Sequence, residues 1–276
     1  MPRSNARQRG RPRSFNDNAG TTIIQSLDKA LALLRIVAGS SGLSLTEIAE
    51  AAGQPPSSAY RVLITLQKHG MVEFDEDMQL WHVGVESFRI GSAFLRRTSI
   101  LDQSRSVMQE IMMSTGETAN LAIADRGEIV FVSQVETHEP IRAFFRPGTR
   151  GPIHASGIGK AMLAYMPGQQ VDKLVPDEEL AGFTPNTITS RKALLGELET
   201  IRGCGWAVDD EERNTGMRCI AAPIFNAFGE AVAGISVSGP SVRVTPDRDA
   251  VFGERVRQAA AEITRAIGGT PPELNP

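Results

Sequence analysis

Ser44-Leu45-Thr46-Glu47-Ile48-Ala49-Glu50-Ala51-Ala52-Gly53-Gln54-Pro55-Pro56-Ser57-Ser58-Ala59-Tyr60-Arg61-Val62-Leu63-Ile64-Thr65-Leu66-Gln67-Lys68-His69-Gly70 is the stretch whose reading decides the fold. Ser44 and Glu47 form an S-x-x-E capping box, in which two side chains satisfy backbone N–H groups that a first helical turn leaves without acceptors. Leu45, Ile48, Ala49 and Ala52 fall at i, i+3, i+4 and i+7, one face of a short helix, and Gly53 stops it. After the turn Gly53-Gln54-Pro55, a second helix is predicted from Pro56 to His69. Proline suits a first helical turn because the N–H it lacks would have no intrahelical acceptor there. Ala59, Val62, Leu63 and Leu66 make the buried stripe, and Gly70 is placed as the C-terminal cap. Two short amphipathic helices joined by a tight glycine turn are the helix-turn-helix unit.

In that unit the second helix enters the major groove, with its N-terminal residues nearest the bases. The face left free by the stripe carries Ser57, Ser58, Tyr60, Arg61, Thr65 and Lys68, hydroxyls and bases without an acid. Arg61 either reads guanine or holds a phosphate. Upstream, Leu27, Leu31, Leu34 and Val37 predict another helix, with Ser26 as its N-cap and Gly39-Ser40-Ser41-Gly42 as the loop that ends it. Downstream, Met71–Phe74 and Leu80–Val83 read as two strands around the acidic turn Asp75-Glu76-Asp77, a wing. Small winged modules of this kind bind either DNA or protein. The basic arm ahead of this one favours double-stranded DNA.

That arm is visible only when the charge is divided. The whole chain carries −3, but residues 1–20 hold Arg3, Arg7, Arg9, Arg11 and Arg13 against Asp17, a charge of +4 that leaves −7 on residues 21–276. Gly10 and Pro12 discourage helix, so Arg9, Arg11 and Arg13 are expected on an extended chain suited to a narrow, electronegative minor groove. Arg9-Gly10-Arg11-Pro12 is similar to AT-hook peptides; a solvated tail is the alternative. A length of 276 residues suggests about two domains. With 41% apolar and 22% charged residues, the composition is that of an ordinary soluble chain. Two cysteines, Cys204 and Cys219, exclude a disulfide-stapled secreted scaffold. No apolar run approaches the ~18 residues of a membrane span, and no apolar segment follows the basic N-terminus as in a signal peptide. The expectation is a cytoplasmic protein with no membrane partner.

Beyond the wing, Ser87–Arg97 reads as a connecting helix and Leu101–Thr115 as a longer one. The period then changes from helical to alternating. Thr118–Ala124 and Ile129–Val135 flank Asp125-Arg126-Gly127, a β-hairpin. Further strands are predicted at Ile141–Phe145, Ala207–Asp209, Cys219–Phe225 and Val232–Ser238. Helices are predicted at Gly157–Tyr165, Ser190–Gly203 and Pro246–Ile267, the last capped by Thr245. The fold class is α+β: a winged helix-turn-helix, then an antiparallel-sheet domain with flanking helices. The predicted organisation is a basic arm over 1–20, the winged unit over 21–84, a linker helix over 85–100, the second domain over 101–270 and a tail over 271–276.

These residues carry a family resemblance over about 25–267. Gln25-Ser26-Leu27-Asp28-Lys29-Ala30-Leu31, Leu45-Thr46-Glu47-Ile48-Ala49, Gly116-Glu117-Thr118 and Pro152-Ile153-His154-Ala155-Ser156-Gly157-Ile158-Gly159-Lys160-Ala161 are similar to motifs of the IclR family of bacterial transcriptional regulators. So are Gly205–Glu212, Gly216–Pro223 and Ser236-Val237-Ser238-Gly239-Pro240. The resemblance implies an N-terminal winged helix, a GAF-like C-terminal domain that binds a small effector, and homodimers often paired into homotetramers. It implies no cofactor and no catalysis.

Gly157-Ile158-Gly159-Lys160 is not a phosphate loop, because His154 stands where the first glycine belongs and Ala161 replaces the Ser/Thr that would hold magnesium. It reads as a glycine turn opening a helix, which packs the helix closely and also presents N–H groups to an anion. Ser236 and Ser238 are two apart on a predicted strand and share one face. Hydroxyls buried without partners are costly, so a polar pocket is expected. By resemblance to glyoxylate-binding members of the family, the effector site is Gly157, Ile158, Asp209, Cys219, Ser236 and Ser238, walled by Pro140, Ala143 and Gly151. The effector implied is a small 2-oxo acid such as glyoxylate. Another small carboxylate is the alternative, and an enzyme using Cys219 or His154 with Asp209 is a third. Asp209-Asp210-Glu211-Glu212 reads as a solvated acidic loop, since neighbouring residues point different ways. Some family members carry zinc in this pocket, for which Cys219 would be the thiolate. No metal is expected here.

Overall fold

The computed structural model describes residues 23–97, 100–175 and 179–272. The chain divides into two compact units at Arg96/Arg97. Together they are an N-terminal helix-turn-helix unit and a C-terminal antiparallel-sheet unit, an α+β protein.

The first unit holds α1 (Gln25–Ala38), α2 (Leu45–Ala51), α3 (Pro56–Lys68), β1 (Val72–Asp75), β2 (Leu80–Val83) and α4 (Val85–Arg97). The capping box forms as read: Ser44 Oγ accepts from Glu47 N–H, and Glu47 Oε2 accepts from Ser44 N–H at 2.8 Å. Pro56 begins α3, His69 closes it, and Gly70 turns away at φ 66°, a left-handed conformation that glycine adopts without strain. Leu33, Val37, Ile48, Ala49, Ala59, Leu63, Val72 and Trp81 make one core. Trp81 also bonds Leu43 in both directions, which fastens the wing to the loop before α2.

Two expectations for α1 are corrected. The helix starts at Gln25 with Ile24 in the cap position, because Ile24 C=O already accepts from Leu27 and Asp28 N–H at 3.0 Å; Ser26 lies inside the helix. Its buried residues are Leu33 and Val37, while Leu27 and Leu31 are exposed. The apolar residues are spread more than halfway round this helix, and the i, i+4 series chose the wrong edge of the arc.

The second unit holds α5 (Ile100–Thr115), β3 (Thr118–Asp125), β4 (Glu128–Val135), β5 (Arg150–Pro152), α6 (Gly157–Leu163), α7 (Gly168–Leu174), α8 (Arg191–Cys204), β6 (Ala207–Asp210), β7 (Met217–Phe225), β8 (Ala231–Pro240) and α9 (Asp249–Ala266). The sheet has six strands in the order β5-β4-β3-β8-β7-β6, with antiparallel neighbours throughout. Arg126 and Gly127 join β3 to β4 at φ 52° and 84°, the paired positive angles of the two-residue turn that matches strand twist. Helices α5 and α9 pack on one face over Ile220, Ile235, Val237 and Phe252, while α6, α7 and α8 pack on the other over Ile153, Ile158, Leu194 and Ile201.

Ile141–Phe145 is not a strand. Pro140 and Pro147 bracket the segment, and the edge position beside β4 is filled by Arg150–Pro152 instead. Pro246 does not begin the last helix. A single 3-10 turn, Pro246–Arg248, precedes α9, and the Thr245 side chain makes no cap bond. Helix α7 carried too few apolar residues to be read in advance.

Candidate effector pocket and nucleic-acid interface

In the first unit, the buried residues of α3 are Ala59 and Leu63, and Ser57, Ser58, Tyr60, Arg61 and Lys68 are all exposed. No ion pair engages Arg61 or Lys68 among the described residues, so two cations and three hydroxyls project from one helix. Arg9, Arg11 and Arg13 lie outside the described residues.

In the second unit, Gly157, Ile158, Asp209, Cys219, Ser236 and Ser238 all line one cavity of about 170 Å³. Sheet register explains why residues so far apart in sequence meet. Asp209 pairs with Cys219 and Cys219 with Ser238, which sets three polar side chains in a row across β6, β7 and β8. Ser236 lies in the next row, between Ala221 of β7 and Asn120 of β3. Helix α6 comes down on these rows. A Cβ on Gly157 would stand 3.1 Å from Cys219 Sγ and 3.2 Å from Ala221 Cβ. One on Gly159 would stand 2.0 Å from the Ile153 carbonyl oxygen. The glycines are therefore what lets the helix start reach the sheet, where its first amides have no preceding turn to accept them.

The expected wall is corrected. Gly151 lines the cavity, but Pro140 and Ala143 do not. Phe131 and Phe145 do, with rings stacked at 4.4 Å and 2°. Phe145 belongs to the segment read as a strand; as a loop it folds back to supply this ring. The cavity is smaller than the ~300–1,000 Å³ of drug-sized sites, so it suits a ligand of few atoms.

The acidic run is also corrected: it is not a solvated loop. Asp209 and Glu212 are buried, while Asp210 pairs with Arg218 at 2.6 Å and Glu211 accepts from Gly216 N–H. Glu212 forms an ion pair with Lys160, whose side chain is 1% exposed and also faces Glu197 at 3.4 Å. Burial pushes Asp209 up to about 7, and the charge of Glu212 adds to this; the N–H groups of Glu212 and Arg213 and the Lys160 ammonium oppose it. Burial likewise raises Glu212, against the pull of Lys160. Cys219 keeps partial exposure to the cavity, yet the protein packed round its sulfur pushes the thiol up to about 11, with the Asp209 charge contributing. A thiol so held is not a nucleophile near neutrality.

Sequence reasoning missed a polar chain behind the pocket. Gln134 Nε2 donates to Asn120 Oδ1 at 2.8 Å, and Asn120 Nδ2 donates to Ser238 Oγ at 3.1 Å. Thr118 and Asn120 alternate on β3 in the same way as Ser236 and Ser238, and that was the available signal. Ser236 Oγ is buried and, apart from a weak bond with the Cys219 thiol, has no hydrogen-bond partner among the described residues. Among the described residues no group of three or more His, Cys, Asp or Glu is placed to hold a metal ion, and no helix is long and apolar enough to cross a membrane.

Residues 26–76 match the IclR helix-turn-helix domain, and residues 92–265 match the family described as bacterial transcriptional regulator IclR C-terminal. The HTH-type transcriptional regulator BhcR of Paracoccus denitrificans is 48% identical over 261 residues, 94% of both chains. The transcriptional repressor IclR of Escherichia coli is 38% identical, over 95% of this chain and 97% of that one. The crystal structure of Thermotoga maritima IclR superposes with a TM-score of 0.75 at 34% identity, over 89% of this chain and all of that one. Fold and relatives define a DNA-binding transcriptional regulator, not an enzyme. The chain belongs to the IclR family.

Proposed function

We propose that this regulator binds its operator through α3 and the basic arm, and that a small 2-oxo acid in the sheet-domain cavity controls that binding. Glyoxylate is the favoured effector. The observation that carries the reading is the buried Ser236 hydroxyl, bonded only weakly to the Cys219 thiol, beside the cross-strand row Asp209, Cys219 and Ser238. Such a group is unfavourable in an empty apolar core and is satisfied by a polar guest. The acid's carboxylate would rest on the Gly157 and Ile158 amides and the hydroxyls of Ser236 and Ser238. Asp209 would accept from a hydrate hydroxyl. The stacked rings of Phe131 and Phe145 would exclude larger guests.

In the DNA-binding unit, Ser57, Ser58, Tyr60 and Arg61 would meet base edges and phosphates, with Lys68 on the backbone and Arg9, Arg11 and Arg13 in the adjacent minor groove. The protein would act in the cytoplasm as a homodimer or homotetramer. The GAF-like domain would bias the placement of paired helix-turn-helix units through α4. This requires the ligand to bind the two placements with different affinity. A thermal-shift screen of small 2-oxo and 2-hydroxy acids tests the site. Glyoxylate should raise the melting temperature of the wild type and not of Asp209→Ala. A gel shift on the upstream region tests the coupling: no change of operator affinity or DNA bending with glyoxylate contradicts it.

A further inference from the structure

Three arginines line the cavity, and only one of them is uncommitted. Arg150 is held by Glu128 at 2.6 Å and Asp125 at 2.8 Å; Arg218 is held by Asp210 at 2.6 Å and Asp249 at 2.8 Å. Arg213 has no carboxylate partner among the described residues. Its guanidinium lies over the Phe183 ring, 4.3 Å from the centroid. The backbone fixes where this cation sits. The N–H groups of Glu212 and Arg213 both turn toward the Asp209 carboxylate, so the loop bearing Arg213 wraps the acid inside the pocket. The loop bearing Phe183 is fastened to the same turn: Thr184 Oγ1 donates to Glu211 O at 2.7 Å and Thr187 Oγ1 to Glu212 O at 2.6 Å. Arg213 itself is exposed, at the rim.

We propose that Arg213 is the specificity-determining cation of this pocket, drawing acid anions to the mouth and exchanging the Phe183 ring for the ligand's carboxylate on entry. The inference rests on reading the cavity as an effector site. Aromatic faces hold an exposed guanidinium weakly, whereas a carboxylate forms charge-assisted, bidentate bonds with it. The anion therefore displaces the ring and, seated on the amides of Gly157 and Ile158 in the same cavity, keeps the attraction of the guanidinium. Anions are preferred over neutral molecules of the same shape, even though the pocket holds an acid of its own.

Calorimetric titration with glyoxylate and with neutral glycolaldehyde tests this on wild type, Arg213→Gln, Arg213→Lys and Asp209→Ala. A rim charge acts mainly on encounter and its salt dependence. Arg213→Gln should weaken glyoxylate about tenfold at low salt, and the gap should close as salt shortens the screening length from ~30 Å at 0.01 M toward ~3 Å at 1 M. Arg213→Lys should stay within about threefold of wild type, since the charge is retained. Glycolaldehyde affinity should not change with Arg213→Gln. Arg213→Gln binding glyoxylate as the wild type does, with Asp209→Ala having lost it, overturns the proposal and leaves the effector site standing. A wild type that does not bind glyoxylate overturns the effector reading and this proposal with it.

Discussion

The two faces of the six-stranded sheet are built from the same strands and do opposite things. On β8, Ile235 and Val237 face α5 and α9, whereas Ser236 and Ser238 line the cavity. On β7, Ile220, Ala222 and Ile224 go one way; Cys219 and Ala221 go the other. On β3, Ala119 and Leu121 lie in the apolar core, while Asn120 carries the polar chain to Ser238. One face closes on helices with an apolar core, and its few buried polar groups are matched, as Arg218 is by Asp249 and Thr264 by Phe225 N–H. The other keeps hydroxyls, a thiol and a carboxylate in the interior, and one hydroxyl, Ser236, has only a weak bond to the thiol. The period-2 alternation of the strands thus separates stability from binding within a single sheet.

The apolar face should break hardest. Phe252 is buried against β7, and Phe252→Ala should cost about 3–5 kcal/mol through lost contacts and a cavity. Urea unfolding measures it, and glyoxylate affinity of the folded fraction should be unchanged. On the opposite face the next largest effect is electrostatic. Lys160→Met strands Glu212 as an unpaired buried charge, a loss of about 3 kcal/mol or more. Adding Glu212→Leu should restore most of that stability, which would show that the pair is a matched insertion and not the source of the fold's stability.

Asp209 gives a smaller effect, with a defined pH window. Its folded value is raised from 3.8 to about 7, so the folded protein keeps a proton that the unfolded chain has lost. The stability this group contributes is present below about 4, falls as pH rises to about 7, and is level above that. Asp209→Asn keeps an acceptor for Glu212 N–H but has nothing to titrate. Its melting temperature should match the wild type near pH 4 and exceed it increasingly up to neutral pH. Parallel melting curves across that range would remove the burial argument for the pocket acid.

Legibility from sequence divided along the same line. Features set by neighbouring residues were readable: the Ser44–Glu47 capping box, the turn Asp125-Arg126-Gly127, and the shared face of Ser236 and Ser238. Features set by distant partners were not. Nothing local marks Lys160 as the mate of Glu212, 52 residues on, or Asn120 as a donor to Ser238, 118 residues on. The site residues themselves were named through family resemblance, and the register of β6, β7 and β8 supplies the physical reason they meet. The loop over 141–145 was misread because Ile141, Ala143 and Phe145 alternate like a strand, although the flanking prolines deny it ladder bonds. Its tertiary task, stacking Phe145 on Phe131, leaves no periodic trace.

The central claim is that the polar face trades stability for binding, and Ser236→Ala tests it most directly. The substitution removes a buried hydroxyl that is bonded only weakly, to the Cys219 thiol, so the protein should stay within about 1 kcal/mol of the wild type. Glyoxylate binding by calorimetry should weaken at least about tenfold, the loss of one buried hydrogen bond to a charged group. A variant that loses stability while binding glyoxylate as tightly as the wild type would contradict the account.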